Sequence, residues 1–198
     1  MKNKVLLFAA CAALILSLAA GATVAWLKDR TEKVENTFTV GDVDIAMSET
    51  VGDELKNTDL DGAIRNSGYK MIPGAELTKD PRVTVNPGSE ACWLFVKTDK
   101  SADFDAFMSF QVDSGWTALD GAENVYYRTV DGQTAKDGVS FPVISGDKVS
   151  VKAAVTREQL GALTANSYPT LTFTAYAIQS DHLPDGADAL SAWELVKE

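Results

Sequence analysis

Histidine and cysteine are almost absent from this chain of 198 residues. The one histidine is His182, so a two-histidine zinc motif cannot be built, and a Ser-His-Asp triad would depend on this side chain alone. Of the two cysteines, Cys11 falls in an apolar amino-terminal stretch and Cys92 in the apolar run 91–96. A disulfide in the body of the chain is therefore excluded, and Cys92 is predicted to be a small core residue. We expect no catalytic residues and a protein that is not an enzyme.

Phosphate-binding loops and clusters of basic residues are missing as well. Neither a Gly-x-Gly-x-x-Gly pattern nor a Walker-type Gly-Lys-Ser/Thr occurs, so the sequence gives no indication of a nucleotide enzyme. The chain carries 18 Lys and Arg against 28 Asp and Glu, a formal net charge of -10. Because negative charge repels phosphates, we expect neither nucleic acid nor nucleotides among the partners.

The amino-terminal segment has the three parts of a secretory signal. Lys2 and Lys4 precede an uncharged stretch, 5–27, whose second half is rich in small residues. Signal peptidase would cut between Ala25 and Trp26, so a mature chain starting at Trp26 is predicted. The alternative interpretation is that the uncharged stretch stays on the protein as a membrane anchor, since it is long enough to span a bilayer.

Strand patterns dominate the sequence after this segment. The run 91–98 is apolar at both parities, which is typical of a central strand covered on both faces. Turn residues separate about eight candidate strands, a spacing that favours a sandwich. We therefore predict a signal peptide over 1–25, helical in its apolar part, followed by one domain over 26–198. Its expected fold is all-β, an antiparallel β-sandwich that is jelly-roll-like or immunoglobulin-like, with a few short helices.

Local signals predict three short helices and one long loop. Helical spacing of apolar residues favours helices over 101–110 and 187–196, and a capping-box pattern starts a third helix at Thr156. Alternating apolar residues predict a strand over 148–155. The polar stretch 50–69 is predicted to be a loop.

One acidic stretch resembles a calcium-binding loop. Asn57, Asp59 and Asp61 place oxygen atoms on alternate residues, and the glycine that follows allows a sharp turn. The last ligand position of the pattern is occupied by Gly68 instead of a bidentate Glu, and no amphipathic helices flank the loop. Two interpretations stay open, a calcium site and a plain surface loop. Calcium is the one cofactor that the sequence brings into consideration.

Several segments of the chain resemble the TasA/camelysin family of exported proteins, which a SipW-type signal peptidase processes. These segments are the leader ending at Ala25, the block Asn36–Ile45, Ile72–Gly74, Lys79–Ser89, Ala175–Gln179 and Ala192–Trp193. The resemblance implies a jelly-roll fold and export from a Gram-positive-type cell. It also implies secretion to the cell surface or to the extracellular matrix of a biofilm.

The resemblance further implies a mode of assembly. In fibre-forming members of the family, the segment freed by leader cleavage completes the sheet of a neighbouring subunit. In this chain such a donor strand would lie within 26–36, close to the first strand. The assembly residues inferred in this way are Trp26, Leu27, Val34 and Phe38. The expected partners are further copies of the chain or related matrix subunits, besides signal peptidase during export.

Three functions are thus compared on sequence grounds. The first is a secreted structural protein that forms fibres by N-terminal strand exchange. The second is a camelysin-like secreted metallopeptidase, a family label for which this chain has no motif that would place the activity on particular residues. The third is a monomeric adhesin or binding module that uses Trp116, Tyr126 and Tyr127 as stacking platforms, although such aromatics are expected more often in the core.

Overall fold

Eleven strands and four short helices occupy the part of the chain that the computed structural model describes. That part comprises residues 42–58, 64, 69–164, 167–181, 183–184 and 186–197. The strands are β1 (Ile45–Val51), β2 (Glu54–Asn57), β3 (Glu76–Thr78), β4 (Arg82–Val85), β5 (Cys92–Lys100), β6 (Met108–Val112), β7 (Thr117–Ala118), β8 (Val125–Val130), β9 (Val139–Pro142), β10 (Ile144–Val151) and β11 (Leu171–Gln179). The helices are α1 (Phe104–Phe107), α2 (Gly132–Asp137), α3 (Arg157–Gly161) and α4 (Ala189–Val196). The predicted signal helix lies outside the described residues.

The strands form three antiparallel sheets. Sheet A has the order β2-β1-β4-β9, sheet B the order β3-β10-β6, and sheet C the order β11-β5-β8-β7. Sheets A and B are continuous, because backbone hydrogen bonds bridge the bend between them. The Val143 N–H donates to the Pro81 carbonyl at 2.9 Å, and the Lys79 N–H donates to the Asp147 carbonyl at 2.9 Å. Sheets A and B therefore form one layer of a sandwich, and sheet C forms the other.

Alternation in β5 places apolar side chains on both faces of sheet C. Cys92, Leu94 and Val96 are buried in the inner core, which lies between sheets A and C. Trp93 and Phe95 point to the outer face, which helix α4 covers. The prediction of a central strand covered on both faces is thus confirmed. A further apolar cluster fills the space between sheets B and C.

The predicted fold class and several local predictions are confirmed. The described residues form an all-β antiparallel sandwich with short helices, as the strand patterns indicated. Helix α3 begins with a reciprocal capping box, in which the Gln159 N–H donates to Thr156 Oγ1 at 3.2 Å and the Thr156 N–H donates to Gln159 Oε1 at 2.8 Å. Helix α4 lies within the predicted range 187–196 and buries Trp193.

The helix predicted over 101–110 is wrong in its second half. Helix α1 ends at Phe107, and the chain continues as strand β6 from Met108. Phe104, Phe107 and Met108 have helical spacing, but Met108 pairs with Val151 of β10 and packs in the core between sheets B and C. Sheet pairing therefore overrides a short helical pattern, which is weakly stable by itself.

Two predicted boundaries also differ from the structure. The stretch 50–69, predicted as a loop, contains strand β2, because Gly52 adopts a positive φ of 65° and closes a tight hairpin in which Val51 faces Glu54. The strand predicted over 148–155 begins earlier, at Ile144, and ends at Val151, after which the chain turns. Helix α2, which Asp131 caps, was not predicted.

Candidate functional site: an open sheet edge

Strand β11 forms one edge of sheet C. It pairs with β5 over all nine of its residues, from Leu171 opposite Lys100 to Gln179 opposite Cys92, without a bulge. Within the described part of the chain, no strand pairs with its second edge. The other edge strands, β2, β3, β6, β7 and β9, have five residues or fewer. Strand β11 is therefore the longest open edge in the described structure.

The composition of β11 leaves this edge unprotected. Its sequence, LTFTAYAIQ, contains no charged residue and no proline. Soluble proteins usually shield edge strands with lysine, proline, a bulge or short length, because a row of free N–H and C=O groups recruits another strand. Eight of the nine residues are half-buried, and only Thr172 is exposed. The edge is thus long, regular and apolar, which favours pairing with a further strand.

Side chains on both faces hold β11 in place. Phe173, Ala175 and Ala177 point inward and pack against the core between the layers. On the outer face, the Tyr176 ring meets the Trp193 ring of α4 edge to face, with 5.1 Å between the centroids. The strand is therefore firmly positioned even though one of its edges is open.

The first residues of strand β1 and the segment just before them lie opposite β11. Val43, Ile45 and Met47 are half-buried and pack against the same core as the inward residues of β11. Strand β2 pairs with β1 only over 48–51. Residues 45–47 consequently have no strand on that side within the described part of the chain. Half-buried apolar residues of β1 and β11 thus lie next to each other along this side of the sandwich, which we call the open side.

A buried ion pair lies at one end of the open side. Lys79 Nζ is 2.8 Å from Glu49 Oε2, and the two side chains are 14% and 11% exposed. The Tyr69 hydroxyl donates to Glu49 Oε1 at 3.0 Å. Lys79 Nζ also lies 5.7 Å from the centroid of the Phe173 ring on β11. The pair thus joins β1, the β3–β4 connection and β11.

The opposite side of the sandwich, between β8 and β9, is closed by an arginine. The guanidinium carbon of Arg128 lies 3.4 Å from the centroid of the Phe141 ring and 5.5 Å from that of Trp116. Trp116 Nε1 donates to the Pro142 carbonyl at 2.8 Å. Burial lowers the pKa of Arg128, and the nearby Asp113 carboxylate opposes this effect. Stacked rings and a guanidinium thus fill the closed side. The described edge strands on this side, β7 and β9, are much shorter than β11.

The residues predicted for leader cleavage and assembly lie outside the described residues. They are Ala25, Trp26, Leu27, Val34 and Phe38. These predictions therefore stay predictions. What the sequence did not reveal is the long edge formed by β11, for which the signal is a nine-residue strand without charge or proline.

The calcium hypothesis also stays a prediction. Asn57 is the last residue of β2 and faces Ser48 of β1, whereas Asp59 and Asp61 lie outside the described residues, as does His182. In the described segments, no group of three or more His, Cys, Asp or Glu side chains is placed to hold a metal ion.

All three candidate stacking aromatics pack against the apolar clusters, and Tyr126 contacts the core between sheets A and C. Trp116 is 6% exposed, and Tyr127 contacts Trp93 and Phe95 on the outer face of sheet C. Cys92 is fully buried, and burial raises the pKa of its thiol to about 11. The prediction of an inert core cysteine is confirmed, because a thiol with so high a pKa is not ionised near neutral pH.

Comparison with known proteins finds a family model that is similar to the amino-terminal third of the chain. The sequence model described as camelysin metallo-endopeptidase matches residues 1–68, about a third of the chain. Searches of the curated proteins and of the solved structures return no significant match. No helix among the described residues is long and apolar enough to cross a membrane. The match over residues 1–68 bears out, for this part of the chain, the resemblance to the TasA/camelysin family found in the sequence.

Proposed function

We propose that the protein is a structural subunit of the cell surface or extracellular matrix, which assembles with further copies of itself by strand addition. The acceptor is the open edge of β11, and the donor is the segment 26–36 of another copy. The observation that carries the proposal is the nine-residue, uncharged, proline-free edge beside half-buried apolar residues of β1. Such an edge is the surface that β-strand addition requires.

The hydrogen bonds and apolar contacts that a donor strand would make with β11 are sufficient for stable assembly. In an antiparallel ladder, about half of the residues of an edge strand direct their N–H and C=O groups away from the paired neighbour. Each hydrogen bond formed there contributes about 1 kcal/mol net. Apolar donor side chains such as Trp26 and Leu27 would add about 1.5–3 kcal/mol each if they were fully buried beside Phe173 and Ala175.

The geometry of this contact favours fibres over closed dimers. Donor and acceptor are different surfaces of the same chain, so each subunit that accepts a strand still offers its own. Head-to-tail contacts of this kind generate an open filament unless the rotation between subunits closes a ring. Growth would therefore continue as long as free subunits remain.

Deletion of residues 26–35 tests the proposal. We expect the truncated protein to keep its circular dichroism spectrum and to remain monomeric in light scattering, while the protein with an intact 26–36 segment forms fibres visible by electron microscopy. A synthetic peptide of sequence 26–36, added in excess, should occupy the acceptor edge and stop the growth of the intact protein. Fibres formed by the truncated protein would contradict the proposal.

A second candidate function follows from the family description, which names a metallo-endopeptidase. It requires that the pure protein bind zinc in a stoichiometric amount and cleave polypeptides in a manner that a chelator abolishes. Metal analysis and a protease assay on the same sample decide between the two functions. If neither zinc nor chelator-sensitive proteolysis is found, the peptidase function is excluded for this chain.

A further inference from the structure

A crevice of about 160 Å³ lies between strand β6 of one layer and strands β5 and β8 of the other. Its inner wall includes Thr98 of β5, which is 2% exposed, together with Phe110 and Tyr126. Ser109 and Asn124 also line it. None of these residues belongs to β11 or to the open side, so the crevice is separate from the proposed acceptor edge.

Three polar side chains of the crevice have no hydrogen-bond partner within the described residues. They are the hydroxyl of Ser109, the carboxamide of Asn124 and the hydroxyl of Tyr126. The backbone carbonyl of Asn124 is used instead, since it accepts from the Thr98 N–H at 2.9 Å. The side chains thus leave two hydroxyl groups and one amide free for a ligand, a set that both donates and accepts hydrogen bonds.

The backbone of Asn124 adopts an uncommon conformation. Its φ is 59°, and Asp147 is the one other described residue besides glycine with a positive φ. Residues with side chains adopt this left-handed region at a cost, which surrounding structure or function must offset. Asparagine is one of the few residues besides glycine that adopts this region routinely, and here it brings a carboxamide to the lining of the crevice.

The charge of the crevice indicates a neutral ligand. Lys100 Nζ, at the mouth, is 2.6 Å from Asp105 Oδ2, so the two charges of the lining cancel each other. An anionic ligand would also meet the net charge of -10 on the whole chain. Neither a phosphate nor an acidic sugar is therefore favoured.

The size and polarity of the crevice limit the ligand further. A volume of 160 Å³ equals that of roughly five water molecules at about 30 Å³ each. This is below the ~300–1,000 Å³ typical of sites for drug-sized ligands and cofactors, so a nucleotide does not fit. The free hydroxyls and amide would be left unpaired by a purely apolar ligand. A small polyhydroxylated ring satisfies both limits, and its apolar face can lie against the aromatic side chains.

We propose that this crevice binds a single neutral sugar residue, such as one at the end of a polysaccharide chain. Tyr126, Asn124 and Ser109 make hydrogen bonds to sugar hydroxyls, and Phe110 contacts the ring. In an extracellular subunit, such a site would attach the protein to carbohydrate independently of its attachment to further copies of itself.

Titration of the native protein with sugars tests the site. The probes are methyl glucoside, methyl galactoside and N-acetylglucosamine, followed by ¹H–¹⁵N chemical shifts. We expect at least one probe to cause saturable shifts at Thr98, Ser109 and Tyr126, with a dissociation constant of about 1 mM, as is usual for a contact of this size. If no probe causes saturable shifts, or if the shifts map elsewhere, the proposal is wrong.

Two variants and a matched control locate the binding. Asn124→Gly keeps the backbone conformation and removes the carboxamide, and Tyr126→Phe removes one hydroxyl. Each should weaken binding about five-fold through the loss of one hydrogen bond. Tyr127→Phe makes the same change on the opposite face of β8 and should leave the affinity unchanged. Equal affinities in all of these variants would overturn the assignment, whatever the result of the assembly experiments.

Discussion

The two sides of the sandwich are built in opposite ways. On the closed side, between β8 and β9, the Arg128 guanidinium stacks on Phe141 beside Trp116 and seals the gap between the layers. On the open side, β11 pairs with β5 along one edge, and no strand of the described residues pairs with its other edge, next to half-buried apolar residues of β1. A protein that needed only to stay monomeric would gain by protecting both sides.

The difference between the open and the closed side indicates where the protein can interact with other chains. An inward-pointing charge beside a short edge strand is a device that prevents edge-to-edge pairing, and the closed side has one. On the open side, the inward-pointing charge of Lys79 is neutralised by Glu49 and lies at one end, so it leaves most of the β11 edge unshielded. We therefore expect substitutions on the open side to change assembly, and substitutions on the closed side to change stability alone.

The largest expected effect comes from a charge on the inward face of β11. Ala175 is half-buried in the monomer and would be covered by an added strand, so Ala175→Asp would bury an unpaired carboxylate in the assembled form. We expect assembly to weaken by at least about 100-fold, since such burial costs several kcal/mol. Thr172→Asp places the same charge at the exposed position of the strand and should assemble nearly normally. Light scattering measures both variants, and circular dichroism checks that each is folded.

The next effect concerns the ion pair at the end of the open side. Glu49→Gln leaves the Lys79 ammonium without its carboxylate in a largely buried position, so we expect the free energy of unfolding to fall by about 3–5 kcal/mol. In the double variant Glu49→Gln with Lys79→Met, both charges are absent, and much of the loss should be recovered. Urea unfolding of the four proteins in this cycle measures the coupling. Additive losses would show that the pair contributes no interaction energy of its own.

A smaller effect is expected on the closed side. Arg128→Ala removes the guanidinium from Phe141 and opens the gap between β8 and β9, which should lower the free energy of unfolding by about 1–2 kcal/mol. Arg157→Ala, at an exposed position of α3, is the control and should change stability by less than about 0.5 kcal/mol. Assembly should be unchanged in both variants. A loss of assembly in Arg128→Ala would contradict the division into an open and a closed side.

The smallest expected effect is a dependence of the protein's stability on pH, which comes from Cys92 in the core. Burial raises the pKa of Cys92 from 9.0 to about 11. Below pH 9 the thiol is protonated in both the folded and the unfolded chain, and its contribution to stability is complete. As the pH rises from 9 towards 11, the unfolded chain alone loses the proton, so the stability falls. The urea midpoint of the wild type should decrease across this range more than that of Cys92→Ala.

Most of the fold could be predicted from sequence because its signals are local. The two-sided apolar pattern of β5 and the capping box at Thr156 each lie within a few residues, and both are present in the structure. The prediction of a helix over 101–110 is wrong in its second half because the structure there depends on a distant part of the chain. Four residues of α1 satisfy the local pattern, but the next five gain more by pairing with β10, a partner far away in the chain.

The candidate site was predictable only in part. Resemblance to the family supplied a donor segment, whereas the acceptor depends on which strand is left at an edge. The crevice shows the same limit, because Asn124 and Tyr126 lie around the start of β8 in one layer, whereas Ser109 comes from β6 in the other. No spacing in the sequence indicates that Ser109 lines the same cavity as the other two.

The sequence by itself determined the all-β class, the resemblance to a family and the lack of zinc-hydrolase and nucleotide-binding motifs, because these depend on composition, alternation and short motifs. The tertiary structure alone decided that, among the described residues, β11 has an open edge while the β8–β9 side is sealed. The physical reason is that a strand pattern specifies which face is buried, but not which neighbour its backbone will find. In this protein that neighbour, β5, pairs Lys100 with Leu171, two residues that no local signal connects.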